Sequence, residues 1–153
     1  VIDVRPSQQM RDLGVVQHGA GILAEPARAF DLPAERDEAE RITDELFAAM
    51  ERISQVHPFA KGMGIAAPQI GIGREVAVVQ PPGDASAIVL LNPRITDRSD
   101  ETDEQYEGCL SFFDVRGLVP RPLKTTVETA ALTGDMIPWR SRDPRGCDGR
   151  LGR

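Results

Sequence analysis

Two short segments of this 153-residue chain combine residue types that can do chemistry. The first is Gly62-Met63-Gly64-Ile65-Ala66-Ala67-Pro68-Gln69-Ile70-Gly71. Its small residues let a backbone approach a ligand closely, and its glycines permit unusual dihedrals. Gln69 is the polar side chain in this small, apolar run, and a primary amide aimed into a pocket can donate to a developing oxyanion. A tight turn with Gln69 bonded to backbone accounts for the same residues. The segment is not a phosphate loop, because no Lys and Ser or Thr follow the glycines. The second segment is Glu107-Gly108-Cys109-Leu110-Ser111. A lone cysteine is most often a small core hydrophobe. As a nucleophile it would need a basic neighbour. Glu107 instead opposes ionisation unless a metal cation is bound. A chemically active Cys109 therefore reads as a ligand rather than as an attacking thiolate.

Around these segments the chain offers one long helix and several strands. Ile42, Leu46, Ala49, Met50 and Ile53 recur at three and four residues and predict a helix with one apolar stripe. Glu38, Arg41, Glu45 and Arg52 make its charged face. Pro33 suits its first turn, and Pro58 closes it. Gly14 to Phe30 reads as loop and irregular strand. Glu75 to Gln80, Ala87 to Leu91 and Lys124 to Ala130 read as strands, and the acidic stretch Asp97 to Gln105 as a solvated loop. There is too little helix between the strands for βαβ units, so the fold class is α+β with antiparallel or mixed sheets packed on the long helix.

Length and composition fit one globular domain. The net charge of -6 argues against general nucleic-acid binding. No apolar run is long enough to cross a bilayer. Without an export-like segment the default setting is cytoplasmic. The charge is uneven: 13 basic and 22 acidic side chains precede Pro138, while five basic and two acidic ones lie from there to Arg153. The expected organisation is an N-terminal extension over 1–14, a domain over 15–137, and a basic tail over 138–153. That tail has almost no apolar residues, which predicts disorder.

Both segments together resemble the first and second motifs of the polypeptide deformylase family. Val115-Arg116-Gly117-Leu118-Val119-Pro120-Arg121-Pro122 and the preceding helix agree with it. The resemblance covers about Val15 to Ile137. It implies a mixed α/β metallohydrolase that removes the formyl group from N-terminal formyl-methionine. Cys109 would bind the metal, iron in the family with zinc or nickel substituting. Gln69 and the N–H of Leu110 would polarise the formyl carbonyl and stabilise the tetrahedral intermediate. The backbone at Gly64 and Ile65 would face an extended peptide. Glu107 and Arg116 would brace the site, paired with each other.

The family's third motif, a helix bearing His-Glu-x-x-His, is missing. It supplies two metal ligands and the general base. The chain has only His18 and His57, and neither has metal-site spacing. One cysteine is too few ligands for a stable site. The expectation is a deformylase-like chain, truncated or altered at its end, with impaired activity and its catalytic helix missing or replaced. Such a chain binds no metal alone, or has its site completed by a second chain. The alternative is a non-catalytic paralogue that binds peptide without hydrolysis.

Overall fold

A computed structural model describes residues 5–60, 62–142 and 150–151. The long helix forms as its periodicity requires. It is α2, Arg36–Val56, and it buries Ala39, Ile42, Leu46, Ala49, Met50 and Ile53. Asp37 and Glu38 in the first turn favour its positive end. Pairs such as Arg41 with Glu45, at 2.7 Å, line its wet face. It ends at His57, whose extended backbone precedes Pro58. Pro33 lies in the turn ahead of α2 and not inside its first turn, a correction to the expected helix start.

The buried stripe packs against β1 (Met63–Ala66) and β2 (Val76–Gln80). These strands form an antiparallel sheet in the order β1-β2-β3, with β3 at Ile88–Leu91. Met63, Ile65, Val76 and Val78 alternate into the core beneath the helix. A second antiparallel sheet contains β4 (Arg94–Arg98), β7 (Lys124–Ala130), β8 (Met136–Arg142) and the short β9 (Arg150–Leu151), in the order β4-β7-β8-β9. Thr129 joins the two sheets. Its hydroxyl accepts from the Leu91 N–H at 2.9 Å and donates to the Leu91 carbonyl at 3.3 Å. A third sheet is the hairpin of β5 (Thr102–Cys109) and β6 (Phe112–Pro122). The α+β class of the sequence is the class of the fold.

Three expectations need correction. The acidic stretch 97–105 is not a loop, because it runs through the end of β4 and the start of β5. Every residue of β4 is exposed, so no apolar alternation marks it. Opposite charges stand in register across the ladders instead, Arg94 opposite Glu128 and Asp103 opposite Arg121. Residues 5–14 are not an appendage. They contain α1, Pro6–Asp12, whose Met10 is fully buried and whose Ser7 N–H donates to Asp114 Oδ1 at 2.9 Å. A seven-residue helix with one deep anchor gives too short a periodic signal to read. Finally, no boundary falls at Pro138. β8 continues through it and pairs with β7 from Ala130↔Met136 to Lys124↔Arg142. The rest of the expected tail, 143–149 and 152–153, lies outside the described residues, and Cys147 with it.

Candidate active site

The first motif supplies β1 and then a single 3-10 turn over Ala67–Ile70, closed by Gly71 in the left-handed region at φ 84°. β1 forms the edge of its sheet. Gly64 on it is exposed, whereas Ile65 points the other way and is 2% exposed in the core. Gly62, at φ 84°, lies so close to β2 that a Cβ there would stand 2.5 Å from the Gln80 carbonyl oxygen.

The second motif forms the tip of the β5–β6 hairpin. Glu107 pairs with Gly117 but Cys109 with Phe112, so the ladder is irregular here and its extra residues lie on β6, between Phe112 and Gly117. Cys109 then pairs with Phe112, leaving Leu110 and Ser111 as a two-residue turn. Cys109 is exposed, while Leu110 and Ser111 are buried.

The two motifs meet at Gln69. Its Oε1 accepts from the Ala66 N–H at 2.9 Å, and its Nε2 donates to Ser111 Oγ at 3.1 Å and approaches Cys109 Sγ at 3.8 Å. The turn with Gln69 bonded to backbone is therefore present, and the same side chain also reaches across to the cysteine. Beside them opens a cleft of about 670 Å³. Gly64, Gln69, Cys109, Leu110 and Arg116 contribute to its wall, and Phe59, Met63, Phe113 and Val115 make much of it apolar. Ile65 does not contribute to this wall.

The expected Glu107–Arg116 pair does not form. Glu107 is held by Arg121, with contacts of 3.1, 3.2 and 2.7 Å. The alternation of β6 explains the exchange. Asp103 and Glu107 of β5, and Arg121 of β6, lie on one face of the hairpin, while Arg116 belongs to the other and lies over Gly108. Hydrogen bonding from Arg121 holds the Glu107 carboxyl below its ordinary pKa of 4.5, against a smaller upward push from burial.

The donor set does not fit a metal ion. Among the described residues no three His, Cys, Asp or Glu side chains come together, and Cys109 stands as a single donor in the cleft. Each histidine is engaged elsewhere. His18 stacks edge-on against Phe112 with centroids 4.9 Å apart. His57 packs on Phe113 at 5.1 Å and bonds Gln9 Oε1 at 3.2 Å.

Two polar residues at this junction carried no role in the sequence. Ser111 accepts from Gln69, and its place directly after the motif leucine was the available signal. Gln17 is 7% exposed and donates to the Leu110 carbonyl at 2.9 Å. Its partner is 93 residues away, and nothing local marks it.

With this geometry in place, the comparison with known proteins is decisive. The family profile described as polypeptide deformylase matches residues 13–144. The chain belongs to that family. A peptide deformylase of Natranaerobius thermophilus is 39% identical over 104 residues, which are 66% of each chain. The crystal structure of the class I type b peptide deformylase of Acinetobacter baumannii superposes with a TM-score of 0.73 at 30% identity, covering 86% of this chain and 84% of that one. The form of that deformylase described as Met-Ala-Ser bound matches with a TM-score of 0.72 at 28% identity and the same coverage. The chain spans 54–66% of the length of three curated relatives, that of N. thermophilus among them.

Proposed function

We propose that the cleft receives the formylated N-terminal methionine of a peptide, the substrate class of the deformylase family. The observation that carries this reading is the convergence of Gln69 Nε2 on Cys109 and Ser111 at the junction of the two motifs. The peptide would lie along the exposed edge of β1, where Gly64 presents no side chain and main-chain hydrogen bonds supply affinity. Phe59, Met63, Phe113 and Val115 suit an unbranched apolar side chain such as methionine. The Gln69 amide and the Leu110 N–H would share the formyl oxygen, and both would bind it more tightly as it gains charge. Arg116 would bear on the peptide from the cleft wall, and Glu107 would brace the hairpin through Arg121.

The reaction of this reading is deformylation. A divalent metal belongs to it in the family, but Cys109 alone does not hold one, so hydrolysis depends on donors from outside the described residues. A second chain is one source. Bacterial cytoplasm, where formylated peptides are made, is the setting the reading implies. The single metal donor also favours a second reading, in which the chain binds formyl peptides without cleaving them.

Titration with formyl-Met-Ala-Ser and with Met-Ala-Ser, with formate measured in iron and in zinc, separates the two. Formate release establishes the enzyme. Saturable binding that favours the formylated peptide, with no formate, establishes the binding protein. No saturable binding of either peptide and no formate defeats both.

A further inference from the structure

The Leu110–Ser111 turn is poorly suited to its own hairpin. Two-residue hairpins favour turns with positive φ, supplied by Asn-Gly or Gly-containing pairs. Among the described non-glycine residues only Asn92 has positive φ, so Leu110 and Ser111 both keep negative values. Turns of that kind splay the strands they join. This one is held from outside. The segment Val15–His18 crosses it and bonds both of its carbonyls: Gln17 Nε2 donates to Leu110 O at 2.9 Å, and the His18 N–H donates to Ser111 O at 2.7 Å. The same segment holds the first motif, since the Val16 N–H donates to the Gln69 carbonyl at 2.7 Å. Two of these three donors are main chain. Gln17 contributes the only side chain of the strap that bonds the turn. Its other contact, to Val15 O at 3.4 Å, ties the amide to the strap itself.

We propose that Gln17 is a positioning residue that sets the Cys109–Leu110–Ser111 turn against Gln69. Anchoring the Leu110 carbonyl fixes the peptide plane that follows the Leu110 N–H. It also holds Ser111 Oγ where Gln69 Nε2 can reach it. Without that anchor the turn relaxes toward the splay its dihedrals favour, and the two groups assigned to the formyl oxygen lose their alignment. The proposal rests on the formyl-peptide reading for its consequence, but not for its geometry.

Gln17→Met keeps the side-chain length and removes the donor. The imidazole Nε2–H of Gln17→His reaches about as far as the amide nitrogen and restores it. The preference for formyl-Met-Ala-Ser over Met-Ala-Ser is expected to fall about tenfold in Gln17→Met, the scale of one hydrogen bond. Affinity for the unformylated peptide should change less than about twofold, and Gln17→His should recover the preference. A merely structural role would weaken both peptides alike, in step with thermal stability, and that result overturns the proposal. A second readout needs no peptide. In Gln17→Met the NMR signals of the Leu110 N–H and of the Gln69 side-chain amide should shift, while those of α2 stay in place. Unchanged Leu110 and Gln69 signals overturn the proposal. Failure of the unmodified chain to bind either peptide defeats the functional reading instead, and the amide signals then decide Gln17 alone.

Discussion

The amide nitrogen of Gln69 lies 3.8 Å from the sulfur of Cys109, although 40 residues separate them. Neither motif makes this approach alone. Gln69 is aimed by its bond to the Ala66 N–H, and Cys109 by the register shift between Glu107 and Cys109. The contact joins the edge of the β1-β2-β3 sheet to the tip of the β5–β6 hairpin.

Gln69→Glu separates the two functions of that amide. The carboxylate still accepts from Ala66, so the turn keeps its shape, but it no longer donates toward Ser111 and Cys109. Stability should change little. Any formyl preference should vanish, and any deformylation should fall by about 10²-fold or more, as when one oxyanion donor is removed. Peptide titration and formate release, each beside a thermal melt, check this. Unchanged preference would remove Gln69 from the site.

Metal retention follows from the donor count. After incubation with zinc and extensive dialysis, the chain should retain well below one equivalent, because a single thiolate lacks the three protein ligands a stable open site needs. Metal analysis of the unmodified chain and Cys109→Ala should give similar low values. A full equivalent that disappears in Cys109→Ala would place the missing donors outside the described residues.

The Glu107–Arg121 pair predicts a pH-dependent increment. The folded-state pKa of Glu107 is lowered, so the pair stabilises the fold above the ordinary value of 4.5. That contribution is lost as pH falls through the depressed value. Side-chain exposures of 57% for Arg121 and 34% for Glu107 keep it below about 1 kcal/mol at neutral pH. Arg121→Ala should show this small deficit at pH 7 and none once Glu107 is protonated in both states. Urea melts across the acid range measure it, and a deficit that grows toward low pH would contradict the assignment.

Arg74 is a buried electrostatic anchor that closely follows the first motif. Its guanidinium is 6% exposed and bonds Glu35 and Glu38 at 2.9 Å each. It also reaches the carbonyls of Arg28 and Ala29 at 3.3 Å and lies 4.1 Å over the Phe30 ring. Arg74→Met keeps the stem but strands these acceptors, and should cost about 2 kcal/mol. Glu35, whose carboxyl is held below its ordinary pKa by bonding from the Asp31 N–H and then Arg74, should titrate higher in the variant. NMR titration of Glu35 tests this, since an unmoved pKa would deny the Arg74 contact.

Met10→Ala tests whether α1 belongs to the fold. Met10 is fully buried, so truncation should cost about 2–4 kcal/mol in a urea melt. A loss within about 0.5 kcal/mol, typical of surface sites, would return residues 5–14 to the role of an extension.

The legible parts of this chain were those with local periodicity or local chemistry. The α2 stripe, β2, β3 and β7 could be read from spacing, and Gln69 and Cys109 from their motifs. Strands β4 and β5 were hidden because their faces are wet and charged, with cross-strand partners in place of apolar alternation. The Glu107 partner was misread because the expected pairing with Arg116 came from the family resemblance, whereas the side-chain alternation of β6 brings Arg121 to the correct face. Gln17 was illegible for a different reason. Its meaning depends on a carbonyl 93 residues later, and no local pattern encodes such a bond.

That bond also sets the order in which the site can come into being. A connection between Gln17 and Leu110 closes a loop spanning most of the domain, and long-range closures of this kind form late and slowly. No fragment ending before Leu110 can contain the cleft floor, however well α2 and its sheet have folded. Formation of the cleft therefore reports closure of this long-range contact, and a ligand bound there would act as a latch on it.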